Sequence, residues 1–143
     1  MGRSREEWIA LAHAHATHEG AGDFDALLAT LEDDPVYELH PVGLAFRGTE
    51  AARTFYRHFF ASFQPLIDSY SLRSEWVGGD GAAQEYVIRL RFPDGKRETH
   101  RVIGVLTFGR EALSGERVWA SERLLRLMFG PAYDLATPIR DAQ

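Results

Sequence analysis

Three histidines stand where imidazole chemistry could be assembled: His15 in "HAHATHEG", His40 in "VYELHPVG" and His100 in "ETHRVIG". Histidine titrates closest to neutrality of all side chains, so it can give or accept a proton with little tuning. A carbonyl compound with an acidic α-hydrogen, or a β-hydroxy ketone losing water, needs such a group and a hydrogen-bond donor near the oxygen. Tyr37, Tyr56 and Tyr86 are candidate donors. His40 closes the short apolar run Val36, Tyr37, Leu39 and is followed at once by Pro41. It therefore stands either at a rim in water or at the mouth of a pocket. The plainer alternative makes His40 and His100 exposed strand residues and His15 a satisfied buried polar group.

Other chemistries fit less well. In "HAHATHEG" only His15 and His18 are neighbours, no Glu follows at ligand spacing, and zinc wants three or four donors, so no metal is expected. "GGDG" at residues 78–81 joins two strands and leads into no helix, so it is no phosphate cradle and no cofactor is expected. Ser121 lacks a nucleophile elbow. With no cysteine there is no thiol nucleophile or disulfide.

The elements that must position these residues follow from periodicity. Ser4 caps a first helix with Glu6 and Glu7 in its first turn, and Trp8, Leu11, Ala12 and His15 share its apolar face. After Gly20-Ala-Gly22, Asp23 caps a second helix with the stripe Phe24, Leu27, Leu28 and Leu31, which "EDDP" ends. A strand at 36–40 and an extended piece from Leu44 to Arg47 lead to a third helix. Its stripe is Ala52, Phe55, Tyr56, Phe59, Phe60 and Phe63, and Pro65 stops it. The period then changes to two, giving strands at Asp68–Val77, Ala82–Phe92, Arg97–Phe108 and Glu116–Ser121, before a short helix at Glu122–Phe129. Helices followed by a meander imply an α+β domain over residues 1–130, with 131–143 a loosely held tail. In the strand at 82–92 either face can line the interior. Burying the Tyr86, Ile88, Leu90 set costs less by a few kcal/mol than burying Glu85 and Arg89.

The 143 residues carry a formal charge of −5 and no basic cluster, which disfavours a nucleic-acid partner. No apolar run reaches the length of a membrane span and no apolar leader follows the N-terminus, so a cytoplasmic protein without a membrane partner is expected.

This order of elements resembles the nuclear transport factor 2-like superfamily over about Glu7 to Gly130. The strings that carry the likeness are "GAGDFDALLATLEDDPVYEL", "FRGTEAARTFYRHFF" and "HRVIGVLTFGREALSGERVWAS". The resemblance implies a cone of curved antiparallel sheet with three helices packed in it, a pocket and a homodimer. Within the superfamily the chain is similar to ketosteroid isomerases and to SnoaL-like polyketide cyclases. The isomerases' catalytic aspartate falls at His40, their oxyanion-donating tyrosine at His15 and their second, protonated aspartate at Gly104. The acid that cyclases and limonene epoxide hydrolase carry near the last strand's end falls at Ser121-Glu122. A histidine of scytalone dehydratase falls near His100.

The expectation is thus cofactor-independent proton transfer of isomerase, dehydratase or cyclase type on a small hydrophobic carbonyl compound. His40 would be the base, His15 or a tyrosine the donor to the developing enolate, and His100 a second acid or base. Tyr37, Tyr56, Phe59, Trp76, Tyr86, Trp119 and Ser121 would line the pocket. The alternatives are a non-catalytic ligand-binding or dimerisation module and, third, an epoxide hydrolase.

Overall fold

The computed structural model describes residues 2–140. Helix α1 (Arg5–Ala21) begins at a capping box in which Ser4 and Glu7 satisfy each other's backbone amides, and it ends at Gly22. Helix α2 (Phe24–Leu28) starts on the Asp23 cap. Strands β1 (Leu31–His40) and β2 (Leu44–Arg47) precede α3 (Thr49–His58), which continues as a π turn, Phe59–Phe63, and a 3-10 turn, Gln64–Leu66. Then come β3 (Ile67–Val77), β4 (Gly81–Arg91), β5 (Arg97–Phe108), β6 (Leu113–Trp119), α4 (Glu122–Phe129), α5 (Pro131–Leu135) and β7 (Thr137–Pro138).

The strands form one curved, open sheet of order β3-β4-β5-β6-β1-β2-β7. This is the α+β cone that the sequence implies, with one difference in pairing. All contacts are antiparallel except β1 with β6, which is parallel. The junction is tight at Gly115, whose φ of +139° and close approach to Val36 leave no room for a Cβ.

Several boundaries move for physical reasons. Leu31 opens β1 instead of closing α2, and "EDDP" lies inside the strand. The register shift between Leu31 and Val36 is a bulge, where a proline needs no ladder donor. The third helix widens into the π turn because Pro65 lacks an amide and its ring crowds the carbonyl four residues before it. The Gln64 amide instead reaches Phe59. Of the segment 131–143, expected to be loose, residues 131–138 dock: Ala132 and Tyr133 are buried in α5, and β7 pairs with β2; residues 141–143 lie outside the described residues.

The core lies between the sheet's inner face and the helices. Tyr37, Leu39, Phe55, Tyr56, Phe63, Leu90, Leu124, Leu125 and Phe129 are almost fully buried there. Along β4 the inner row is Ala82, Gln84, Tyr86, Ile88 and Leu90, and Arg89 and Arg91 on the opposite row are in water, which answers the question of which face lines the interior.

Candidate functional site

Strand parity and register bring polar groups together on the inner face. Tyr37 alternates inward with Leu39, and its register partner on β6 is Glu116, which in turn faces Leu106 on β5. Tyr86 comes from β4, where the same face carries Ile88. From above, α1 contributes His15 and Glu19, one turn apart, and α3 contributes Tyr56.

Tyr37, Tyr56, His15 and Thr30 form a chain of hydrogen bonds inside the core. The Tyr37 and Tyr56 hydroxyls are 2.5 Å apart, and the Tyr56 hydroxyl is 3.4 Å from His15 Nε2. The Thr30 hydroxyl is committed as donor to the Leu27 carbonyl at 2.6 Å, so at 2.7 Å it accepts from His15 Nδ1. That leaves His15 Nε2, in a ring only 2% exposed, turned to Tyr56 and to Glu19 Oε2 at 3.6 Å. When Nε2 is unprotonated it accepts from Tyr56; when protonated it has Glu19 as counter-charge.

Glu116 completes the arrangement. Its carboxyl has no hydrogen-bond donor among the described residues and lies over Gly104, where a Cβ would come within 2.7 Å of Oε1. Burial pushes the Glu116 carboxyl well above the ordinary carboxylate range, and the charge of Glu19 raises it further. Tyr37, Tyr56 and Tyr86 are also raised, each chiefly by burial, with the two glutamates adding to it. All three phenols therefore stay protonated donors at neutral pH. The site holds a half-buried carboxyl whose pKa is raised, a second carboxyl on α1 that is 32% exposed, a buried imidazole and three phenols. That set can donate to an oxygen while taking a proton from carbon.

The expected residues divide sharply. His15, Tyr37, Tyr56 and Tyr86 meet in this interior, and Phe59 is buried in the core beside it. His40 does not join them. Because Tyr37 and Leu39 point inward, His40 points outward, and it stacks on Trp119 with ring centroids 4.7 Å apart. Trp119 and Trp76 share that outer face, 38% and 55% exposed, and are not pocket wall. His100 is on the inner face but four residues along β5 from Gly104, about 13 Å at the rise of a strand. There it bonds Glu98, which is gripped by Arg123 of α4. Ser121 has left β6 and caps α4 through the Leu124 amide.

Glu116 and Glu19 were missed. In "HEG", Glu19 is the fourth residue after His15 and shares its helix face, contrary to the expectation that no Glu follows at ligand spacing. In "GERVWA" the alternation of Glu116, Val118 and Ala120 against Arg117 and Trp119 carried the signal that Glu116 is an inward residue. Among the described residues no group of three or more His, Asp or Glu could hold a metal ion, and no helix is long and apolar enough to cross a membrane. Two surface grooves open away from this interior. One, of about 640 Å³, lies along β2 and the segment 135–140, and one lies along α4.

Comparison with known proteins places the fold. The family model described as a SnoaL-like domain matches residues 12–113, a segment that ends before Glu116. No curated protein matches the sequence significantly. Among solved structures, a candidate polyketide cyclase from Xanthomonas campestris pv. campestris superposes with a TM-score of 0.65 at 19% identity, covering 88% of this chain and 98% of that one. A nuclear transport factor 2-like protein from Anabaena variabilis gives a TM-score of 0.65 at 19% identity, covering 85% and 95%. A protein of ketosteroid isomerase-like fold from Catenulispora acidiphila, in complex with trimethylamine, gives 0.62 at 17% identity, covering 86% and 95%.

Proposed function

Because this chain belongs to the SnoaL-like domain family, we propose that it performs cofactor-independent acid–base chemistry on a small hydrophobic carbonyl compound, with Glu116 as the acid. The observation that carries the reading is the half-buried Glu116 carboxyl on the inner face, without a hydrogen-bond donor among the described residues, lying over Gly104 and in register with Tyr37, its proton held above the ordinary range by partial burial and by Glu19. A carboxyl kept neutral at working pH can donate to an oxygen on which negative charge develops.

In the proposed reaction the Glu19 carboxylate takes the proton from the carbon next to the carbonyl. The electron pair moves onto the carbonyl oxygen, where the Glu116 O–H donates. In a β,γ-unsaturated substrate the proton held by Glu19 then returns to the γ-carbon as the double bond moves into conjugation, which is isomerisation; in a β-hydroxy ketone it goes to the departing β-hydroxyl, which leaves as water while the α,β double bond forms, which is dehydration. His15, in contact with Glu19 and Tyr56, holds the base and can take up its proton. The Tyr37–Tyr56 pair fixes the inner wall. His40, on the outer face, and His100, bonded to Glu98, have no role in this scheme. The protein would work as a homodimer joined through its outer sheet face, where Trp76, Ile103 and Trp119 are exposed.

One rival has a specific observation in its favour. Tyr37, Tyr56 and Phe63 are fully buried and Tyr37 and Tyr56 are bonded to each other, as in a module that binds or dimerises without chemistry. The two readings separate in deuterium oxide. Small apolar ketones and β-hydroxy ketones are incubated with the protein, and deuterium entering next to the carbonyl is followed by proton NMR. Catalysed exchange that falls about 100-fold or more in Glu116→Gln and in Glu19→Gln supports the enzyme. Ligand-induced shifts with no exchange over the whole panel support the binding module.

A further inference from the structure

We propose that Gly104 is the positioning residue for the acid of this site: its missing side chain lets the Glu116 carboxyl cross from β6 and face the interior. This rests on the acid–base reading of that interior and adds a second residue on which the acid depends. Three observations carry it.

Gly104 lies in the inner row of β5 with His100, Val102 and Leu106, and it is buried. Its register partner on β6 is Val118, so Glu116 is the diagonal neighbour, within reach of a long side chain. Apart from Gly104's own chain neighbours, the atoms within 4 Å of its absent Cβ are both from Glu116: Oε1 at 2.7 Å and Cδ at 3.8 Å. The vacant volume is thus taken by the carboxyl itself.

Backbone conformation does not ask for glycine here. Residues 22, 43, 48, 95, 115 and 130 have the positive φ values that favour it, and Gly104 is not among them. A glycine inside a central strand weakens that strand unless something must approach closely. The group that approaches is the Glu116 carboxyl, the flexible end of its side chain. A methyl group at 104 would therefore displace the acid without disturbing the backbone. The titratable groups around the Glu116 carboxyl are Tyr37 on β1, Tyr86 on β4, Glu19 on α1 and Tyr56 on α3, with His15 beside Glu19.

The test needs no substrate. Protein carrying carbon-13 in its glutamate carboxyls is titrated by NMR, with Glu116 assigned by its loss in Glu116→Gln. The expected result is that Gly104→Ala melts at or above the wild-type temperature while the Glu116 midpoint drops by about one pH unit or more. Gly104→Asp combined with Glu116→Ala should supply an acid from β5 that again titrates above the ordinary aspartate range. An unchanged Glu116 midpoint in Gly104→Ala, an unfolded Gly104→Ala, or a transposed aspartate with an ordinary midpoint would each overturn the assignment. Lack of deuterium exchange in the wild type would count against the proposed activity and leave this titration to decide the role of Gly104.

Discussion

At the scale of the residue, strand parity decides which groups can do chemistry. "VYELH" looked like a strand delivering an imidazole to a pocket, but once Tyr37 and Leu39 turn inward His40 must turn out. The same rule hides Glu116, whose burial depends on pairing with Tyr37, far away in sequence. Local pattern could show the alternation in "GERVWA", and only the fold shows what covers it. Two predictions belong here. Glu116 has a raised carboxyl, so the native state binds more protons than the unfolded state above the ordinary carboxylate range. Stability therefore falls as pH rises from about 4.5 toward the native midpoint. Chemical denaturation across that window should show the fall in the wild type and a flatter profile in Glu116→Gln, which should be the more stable of the two at neutral pH. Tyr56→Phe removes the hydroxyl between Tyr37 and His15 and leaves buried partners unpaired, so it should cost about 1–3 kcal/mol in urea unfolding.

Among the elements, the most legible were those whose signals are local. Ser4 and Glu7 announce the start of α1, and the stripe Phe55, Tyr56, Phe59, Phe63 announces α3, because capping and amphipathic spacing act within a few residues. The parallel pairing of β1 with β6, the bulge that absorbs Pro35 and the docking of α5 were not legible, since each depends on a partner brought in by the fold. Helix α4 shows how an element holds the rim. Ser121 caps it, and Ser121→Ala should lower stability by about 1 kcal/mol, read from thermal or urea unfolding. Arg123 from its first turn grips Glu98, whose carboxyl is drawn down to about 2 by that guanidinium first, despite some burial, and then by His100. A depressed carboxyl stabilises the fold above the ordinary value of 4.5, and the contribution is lost as pH falls toward 2. Arg123→Ala should therefore flatten that acid limb, with an effect tempered by the solvent exposure of the pair.

For the whole molecule, the sheet has two faces, to which the proposed function assigns separate roles. The inner face carries the site and the outer face carries Trp76, Ile103 and Trp119, with His40 stacked on the last. An apolar row of this kind on a sheet face fits association of two copies. Trp119→Glu should reduce the mass measured by light scattering from that of a dimer to that of a monomer while leaving the fold's circular dichroism unchanged. The proposed chemistry depends on an interior that keeps the Glu116 carboxyl neutral at working pH, and isotope-edited infrared spectroscopy reads that property directly. At pH 7 the difference between wild type and Glu116→Gln should contain the carbonyl stretch of one protonated carboxyl. A spectrum that shows only the carboxylate bands at that pH would contradict the account.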